Sequence, residues 1–228
     1  MGAAPQALRL VMCDLDGTLI DTAPEIADAV NDTLAACGLP AVRPQQVRDW
    51  IGHGTRTLLV EALASTQGRT VQAIHADPDL PRIAGMFDGH YQQRCGTRSQ
   101  PYPHVVEALE SLRVHGVHLA VITNKEGRYT DTVLRAHQLQ GHFGLVISGD
   151  TLATKKPDPG GVAHCLAHFG LAAGEALFVG DSSIDAATAR NAGVAVWLLP
   201  YGYNMGQPIA ACQPDRVIAD MRAVLTLL

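Results

Sequence analysis

A chain of 228 residues, 47% of them hydrophobic, can bury a sizeable core, either as one large domain or as a domain with a smaller one inserted. Its net charge of -5 and the absence of any Lys/Arg-rich run exclude a nucleic-acid or anionic-membrane surface and leave a small molecule as the expected partner. Five cysteines without a CxxC pair, no run of ~18 apolar residues and no basic leader ahead of an apolar stretch predict a cytoplasmic protein without disulfides, zinc ribbon or membrane span.

Leu10 to Cys13 is a short apolar run of the kind that forms a strand buried on both faces, and it stops at Asp14-Leu-Asp-Gly-Thr18. Polar residues just past such a strand lie at its carboxyl end, where open α/β sheets hold ligands. Asp14 and Asp16 can face one crevice if Gly17 turns the backbone, and like charges that close need a shared proton or a cation between them. Thr22-Ala-Pro-Glu25 has the spacing of a capping box, opening a helix that Gly38 and Pro40 end. Further helical patterns cover Gln45 to Ile51, Thr55 to Gln67 and Pro81 to Arg94, with no strand from Ile20 to about Ser99. Residues 21–99 are therefore expected to form an inserted all-helical cap, and residues 1–20 and 100–228 the core.

Pro101-Tyr-Pro103 reads as a stiff linker. A helix from His104 to His115 follows, then a strand from Leu119 to Ile122 that stops at Thr123-Asn124-Lys125, a helix to about Gln138, and a strand from Leu145 to Ile147. The loop Lys155-Lys-Pro-Asp-Pro159 leads into a helix ending near Gly170. Ala176 to Val179 is a strand closed by Gly180-Asp181, Ser183 to Ala192 a helix, Ala195 to Leu199 a strand, and Arg216 to Ala219 a short one before a terminal helix. This alternation predicts an α/β fold, a doubly wound parallel sheet of Rossmann-like type, with the cap over its carboxyl edge as a lid.

Parallel strands bring Asp14, Asp16, Thr123, Asn124 and Asp181 to one edge, with Lys155 and Lys156 opening onto it. Such a set suits phosphoryl transfer: carboxylates hold a hard cation, hydroxyl and amide groups bind phosphate oxygens, and a lysine offsets their charge. Blander roles compete. Thr123-Asn124 can be a plain turn, the lysines a solvated pair, and Asp185 a helix cap with Ser182. Asp181, directly after Phe178-Val-Gly180, is costly in a core without a cation or donor.

These residues resemble the motifs of the haloacid dehalogenase superfamily of phosphotransferases: DxDGT at Asp14 to Thr18, the motif II hydroxyl at Thr123, the motif III lysine at Lys156, and the acidic motif IV at Gly180 to Asp185, in the family's order. The resemblance implies an Mg²⁺-dependent phosphomonoesterase in which Asp14 is the nucleophile that forms an aspartyl-phosphate, and Asp16 the general acid and then base. It implies Mg²⁺ held by Asp14, the backbone carbonyl of Asp16 and Asp181, and phosphate held by Thr123, the Asn124 backbone and Lys156. Asp185 is a candidate for the metal or for the residues behind it.

In the cap, Trp50-Ile-Gly-His-Gly-Thr-Arg56 is either a helix-to-helix turn with glycine caps or a crevice-facing segment in which His53 or Arg56 meets a second anionic group. That segment, Tyr102-Pro103, Thr123-Asn124-Lys125 and Tyr201-Gly-Tyr-Asn204 are similar to bacterial phosphoglycolate phosphatases, which implies 2-phosphoglycolate as substrate. Relatives acting on N-acetylmuramic acid 6-phosphate, and phosphosugar mutases, are the neighbouring alternatives. A dehalogenase would not need Asp16 or Asp181, and a phosphonatase needs a cap lysine, whereas no lysine occurs between Met1 and Tyr102. From a different class, a non-catalytic phospho-acceptor switch would lack the helical lid.

Overall fold

The computed structural model describes residues 8–228. Its first strand, β1 (Leu10–Cys13), is buried at every residue, which is why the run carries no polar alternation. A two-residue strand, β2 (Ile20–Asp21), leads into α1 (Ala23–Ala36), α2 (Pro44–Trp50), α3 (Thr55–Gln67), α4 (Val71–His75) and α5 (Leu80–Arg94). The chain returns through β3 (Gln100–Pro101), which pairs antiparallel with β2, Ile20 opposite Pro101. The stretch expected to be a linker is thus half of a small two-stranded hinge. No two-residue strand has a period to read, and the five-residue α4 is as hard to see. Ile26, Val30, Leu34, Leu58, Leu59, Leu63, Phe87 and Tyr91 bury the inner faces of α1, α3 and α5 in one cluster, each side chain contributing about 1.5–3 kcal/mol of apolar burial.

The capping box expected at Thr22 is absent: the Thr22 side chain makes no cap bond, and its hydroxyl donates to Asp16 Oδ1 at 2.6 Å. Glu25, fully buried, accepts instead from the backbone amides of Ser99 at 3.0 Å and Arg98 at 3.3 Å. Both residues obey the cap spacing, but tertiary partners across the hinge win them.

Past the hinge come α6 (Val105–Val114), β4 (His118–Ile122), α7 (Gly127–Ala136), β5 (Leu145–Ile147), α8 (Gly160–Phe169), β6 (Ala176–Gly180), α9 (Ser183–Asn191), β7 (Ala195–Leu198) and β8 (Arg216–Val217). The terminal segment, expected as a helix, is 3₁₀ from Met221 to Leu227. Six strands form one parallel sheet in the order β5-β4-β1-β6-β7-β8. Val11, Cys13, Leu119, Val121, Leu177 and Val179 face α6, α7 and the helical block. Leu10, Met12, Ala120, Ile122, Ala176 and Phe178 face α8 and α9. The fold is the expected doubly wound α/β sheet with an inserted helical cap.

Candidate active site

From β1 the strand order runs outward in both directions, to β4 and β5 on one side and to β6, β7 and β8 on the other. The crevice of such a sheet opens where the order reverses. That point lies between β1 and β6, whose register sets Cys13 beside Val179, so Asp14 and Asp181 leave adjacent strands into the same crevice.

Asp14 is 9% exposed. Its Oδ1 accepts the Leu15 amide at 2.7 Å and pairs with Lys156 Nζ at 2.8 Å. Burial pushes the Asp14 carboxyl up to about 7; Lys156 pulls it back, and Asp185 and Asp16 add to the rise. Lys156 Nζ also reaches Asp185 Oδ1 at 2.7 Å. Burial works against its charge, but the two carboxylates outweigh burial and hold the ammonium above the ordinary lysine value. The second oxygen of Asp185 accepts Asp181 N, Ser182 N and Ser182 Oγ. Both oxygens of Asp185 are therefore engaged, one as a helix cap and one as the anchor of Lys156.

Asp181 is 2% exposed and accepts the Thr18 hydroxyl at 2.7 Å and the Tyr203 amide at 2.5 Å. Gly17, at φ 86°, and Gly202 close around it, and a Cβ on either would overlap Asp181 Oδ2. Burial, then Asp185 and Asp14, raises the Asp181 carboxyl well above its usual range. Oxygens of Asp14, Asp181 and Asp185 lie within 4.8 Å of one another. Three buried carboxylates against one ammonium leave excess negative charge on hard oxygen donors, and this fits a divalent cation.

Asp16 lies across the cavity, and its partner is Lys125, whose Nζ is 2.8 Å from Oδ1 and 3.0 Å from Oδ2. Thr123 is 3% exposed and lines the cavity, its Oγ1 accepting the Lys125 amide at 3.2 Å. Asn124 spans the seam: its Nδ2 donates to Gly52 O at 2.9 Å and Lys156 O at 3.1 Å, while its buried Oδ1 has no partner.

The cavity encloses about 30 Å³, with Asp14, Asp16, Lys125, Lys156 and Asp181 below and Ile26, Ile51, Gly52, Gly54, Thr55 and Leu58 above. His53 and Arg56 are exposed and absent from this lining, as the helix-to-helix turn alternative expects. Gly52 (φ 138°) and Gly54 (φ 91°) turn the backbone of this segment toward the crevice, which leaves both side chains in solvent. Lys155 Nζ donates to the His53 carbonyl at 2.9 Å, and Thr55 Oγ1 to Glu126 at 2.6 Å, so the segment meets the core.

Sequence reasoning missed Lys125, Thr18, Thr22, Gly202 and Tyr203 as neighbours of the acids. One signal was available: the chain has only three lysines against fourteen arginines, and Lys125 and Lys156 line the cavity while Lys155 bonds the cap segment above it. The loop at Tyr201 to Asn204 packs on the hinge: Tyr203 is 3% exposed, its hydroxyl bonds Asp21 and Ala23 N, and Arg48 of α2 lies over its ring.

Comparison with known proteins gives the same picture. The model of the haloacid dehalogenase-like hydrolase family matches residues 11–199. A phosphoglycolate phosphatase of Vibrio cholerae is 38% identical, covering 98% of each chain. One of Thiobacillus denitrificans is 35% identical, over 97% of this chain and 96% of the relative. The crystal structure of a predicted phosphoglycolate phosphatase from Haemophilus somnus superposes with a TM-score of 0.89 at 32% identity, covering 96% and 97% of the two chains.

Proposed function

The chain belongs to the haloacid dehalogenase-like hydrolase family and is a phosphatase, and from that premise we propose that it hydrolyses 2-phosphoglycolate to glycolate and phosphate through a phosphorylated Asp14. The observation that carries the reading is the convergence of Asp14, Lys156 and Asp181 at the switch point beneath a small, capped cavity. With Oδ1 of Asp14 engaged by Leu15 N and Lys156, Oδ2 is the oxygen that attacks phosphorus. The bond from phosphorus to the leaving oxygen breaks, and Asp16 gives that oxygen its proton. Water then attacks the acyl phosphate and loses a proton to Asp16, freeing phosphate and Asp14. Lys156 keeps Asp14 and the phosphoryl oxygens together, Asp185 fixes Lys156, and Thr123 and the Asn124 backbone take the remaining oxygens.

Mg²⁺ would be held by Asp14, Asp181 and the backbone carbonyl of Asp16, and when bound it neutralises charge on the phosphoryl oxygens. Asp185 stands behind these residues because its oxygens already hold the Lys156 ammonium and three donors at the start of α9, where Asp181 carries one donor on each oxygen. Residues 21–99 act as the selecting unit, closing an apolar roof over the ester and excluding water. A roof of Ile26, Ile51 and Leu58 over the acids suits a small ester, and similarity to phosphoglycolate phosphatases at 35% and 38% identity favours 2-phosphoglycolate over N-acetylmuramic acid 6-phosphate, a phosphosugar mutase or a phospho-acceptor switch. No described helix is long and apolar enough to cross a membrane, and a small phosphorylated metabolite is the only partner this site needs. The deciding experiment is a panel of phosphate esters ranked by kcat/KM with Mg²⁺ present. The reading expects 2-phosphoglycolate to lead by at least about tenfold, a gap of ~1.4 kcal/mol in transition-state binding; a lead for a bulky sugar phosphate would replace it.

A further inference from the structure

Lys125 stands two residues past Thr123, at the end of β4, with 1% of its side chain exposed. Its ammonium meets both oxygens of Asp16, at 2.8 and 3.0 Å, and lies 5.1 Å from the centroid of the Tyr91 ring on α5. The Thr22 hydroxyl adds a second donor to Asp16 Oδ1 at 2.6 Å. The backbone of Lys125 is itself pinned, its carbonyl accepting Gly149 N at 2.8 Å and Thr130 Oγ1 at 3.3 Å, and its amide bonding Thr123 Oγ1 at 3.2 Å. Two donors on one oxygen and one on the other fix the plane of the Asp16 carboxylate, and a clamp this rigid acts on orientation. Buried ion pairs return little net stability against apolar packing. In a chain that spends fourteen arginines and three lysines, a buried lysine on the proposed acid and base calls for another reason.

We propose that Lys125 is a positioning residue for Asp16, holding that carboxyl group in the orientation from which it passes a proton to the leaving oxygen. The inference rests on the acid and base role of Asp16 given above. A carboxyl group misplaced by about 1 Å loses on the order of 10²-fold in rate. The loss falls on esters whose leaving alkoxide needs a proton and spares those whose leaving group departs as a stable anion. Lys125 stays outside the bond-making itself: it touches Asp16, and Asp16 touches the ester.

The test is single-turnover release of the leaving group by the Mg²⁺-loaded full chain carrying Lys125→Met, which keeps the stem and removes the ammonium. Release of glycolate from 2-phosphoglycolate is expected to slow about 10²-fold with KM moved less than about threefold, while the slowing of nitrophenolate release from para-nitrophenyl phosphate is at least about tenfold smaller. In an Asp16→Asn background, Lys125→Met should add less than about twofold, because residues acting through one group are not additive. Equal slowing on both esters, or an additive loss in the double variant, overturns the proposal and leaves Lys125 a structural ion. If the methionine variant does not fold, Lys125→Gln, which keeps a donor, is read by the same two criteria. Unslowed glycolate release by Asp16→Asn would instead sink the acid and base reading itself. Slowing by Asp16→Asn without slowing by Lys125→Met would sink this proposal alone.

Discussion

The sheet edge and the cap share one cavity and contribute to it in opposite ways. Below, the ends of β1, β4 and β6 and the loop before α8 present Asp14, Asp16, Lys125, Asp181 and Lys156, all buried or nearly so and each tied to a named partner. Above, the cap offers Ile26, Ile51, Leu58, Thr55 and the glycine backbone, and its polar side chains His53 and Arg56 face solvent. The charge is concentrated in the floor, and the roof supplies shape and exclusion of water. In the proposed function, reaction type belongs to the sheet edge and substrate choice to the fit of the roof.

Removing the floor's central cation should break this division most severely. Lys156→Met leaves Asp14 and Asp185 buried without their partner, at a cost of about 3–5 kcal/mol. That cost corresponds to a fall of about 10 °C in melting temperature, read by differential scanning calorimetry, together with loss of turnover. A next, smaller effect comes from the cradle of Asp181. Gly202→Ala drives a Cβ into its carboxylate, and the affinity for Mg²⁺ measured by calorimetric titration should drop about tenfold or more.

Charge in the floor also sets a pH dependence. Asp14 in the folded chain holds its proton up to about 7, whereas an unfolded chain releases it near the ordinary value of 3.8. Between those values the folded state binds more protons, so this group's contribution to stability falls as pH rises and is flat above about 7. A divalent cation held there would replace that proton. Mg²⁺ at about a hundredfold excess over its Kd should stabilise the protein by ~2.7 kcal/mol at pH 8, and by less at pH 5. An equal thermal shift at both pH values would remove Asp14 from the ligand set. The smallest effect sharpens the roof side of the comparison: Arg56→Ala, on a side chain outside the cavity, should change KM for 2-phosphoglycolate by less than about twofold.

Much of the floor was legible in the sequence, since an apolar strand that stops at a carboxylate can be read from a dozen residues. Asp14 and Asp181 follow from that rule once the sheet is parallel. Lys125 does not, because its meeting with Asp16 depends on β4 lying next to β1 and on a side-chain direction that no spacing encodes. Thr22 and Glu25 misled for the same reason, their capping pattern being fulfilled by partners 6 and 74 residues away. In the cap, the unusual glycines around His53 were visible, but which way they turned the backbone was not. The sequence left open whether the His53 and Arg56 side chains or a plain turn faced the crevice, and the fold meets the core through the carbonyls of Gly52 and His53.

Turnover of 2-phosphoglycolate by Asp14→Asn, checked for folding by its melting curve and repeated as Asp14→Ala, tests the central claim most directly. An amide cannot serve as the attacking group, so kcat should fall by more than about 10³-fold in both variants. A folded variant that still turns over at even a tenth of the original rate would contradict the covalent role assigned to this carboxylate.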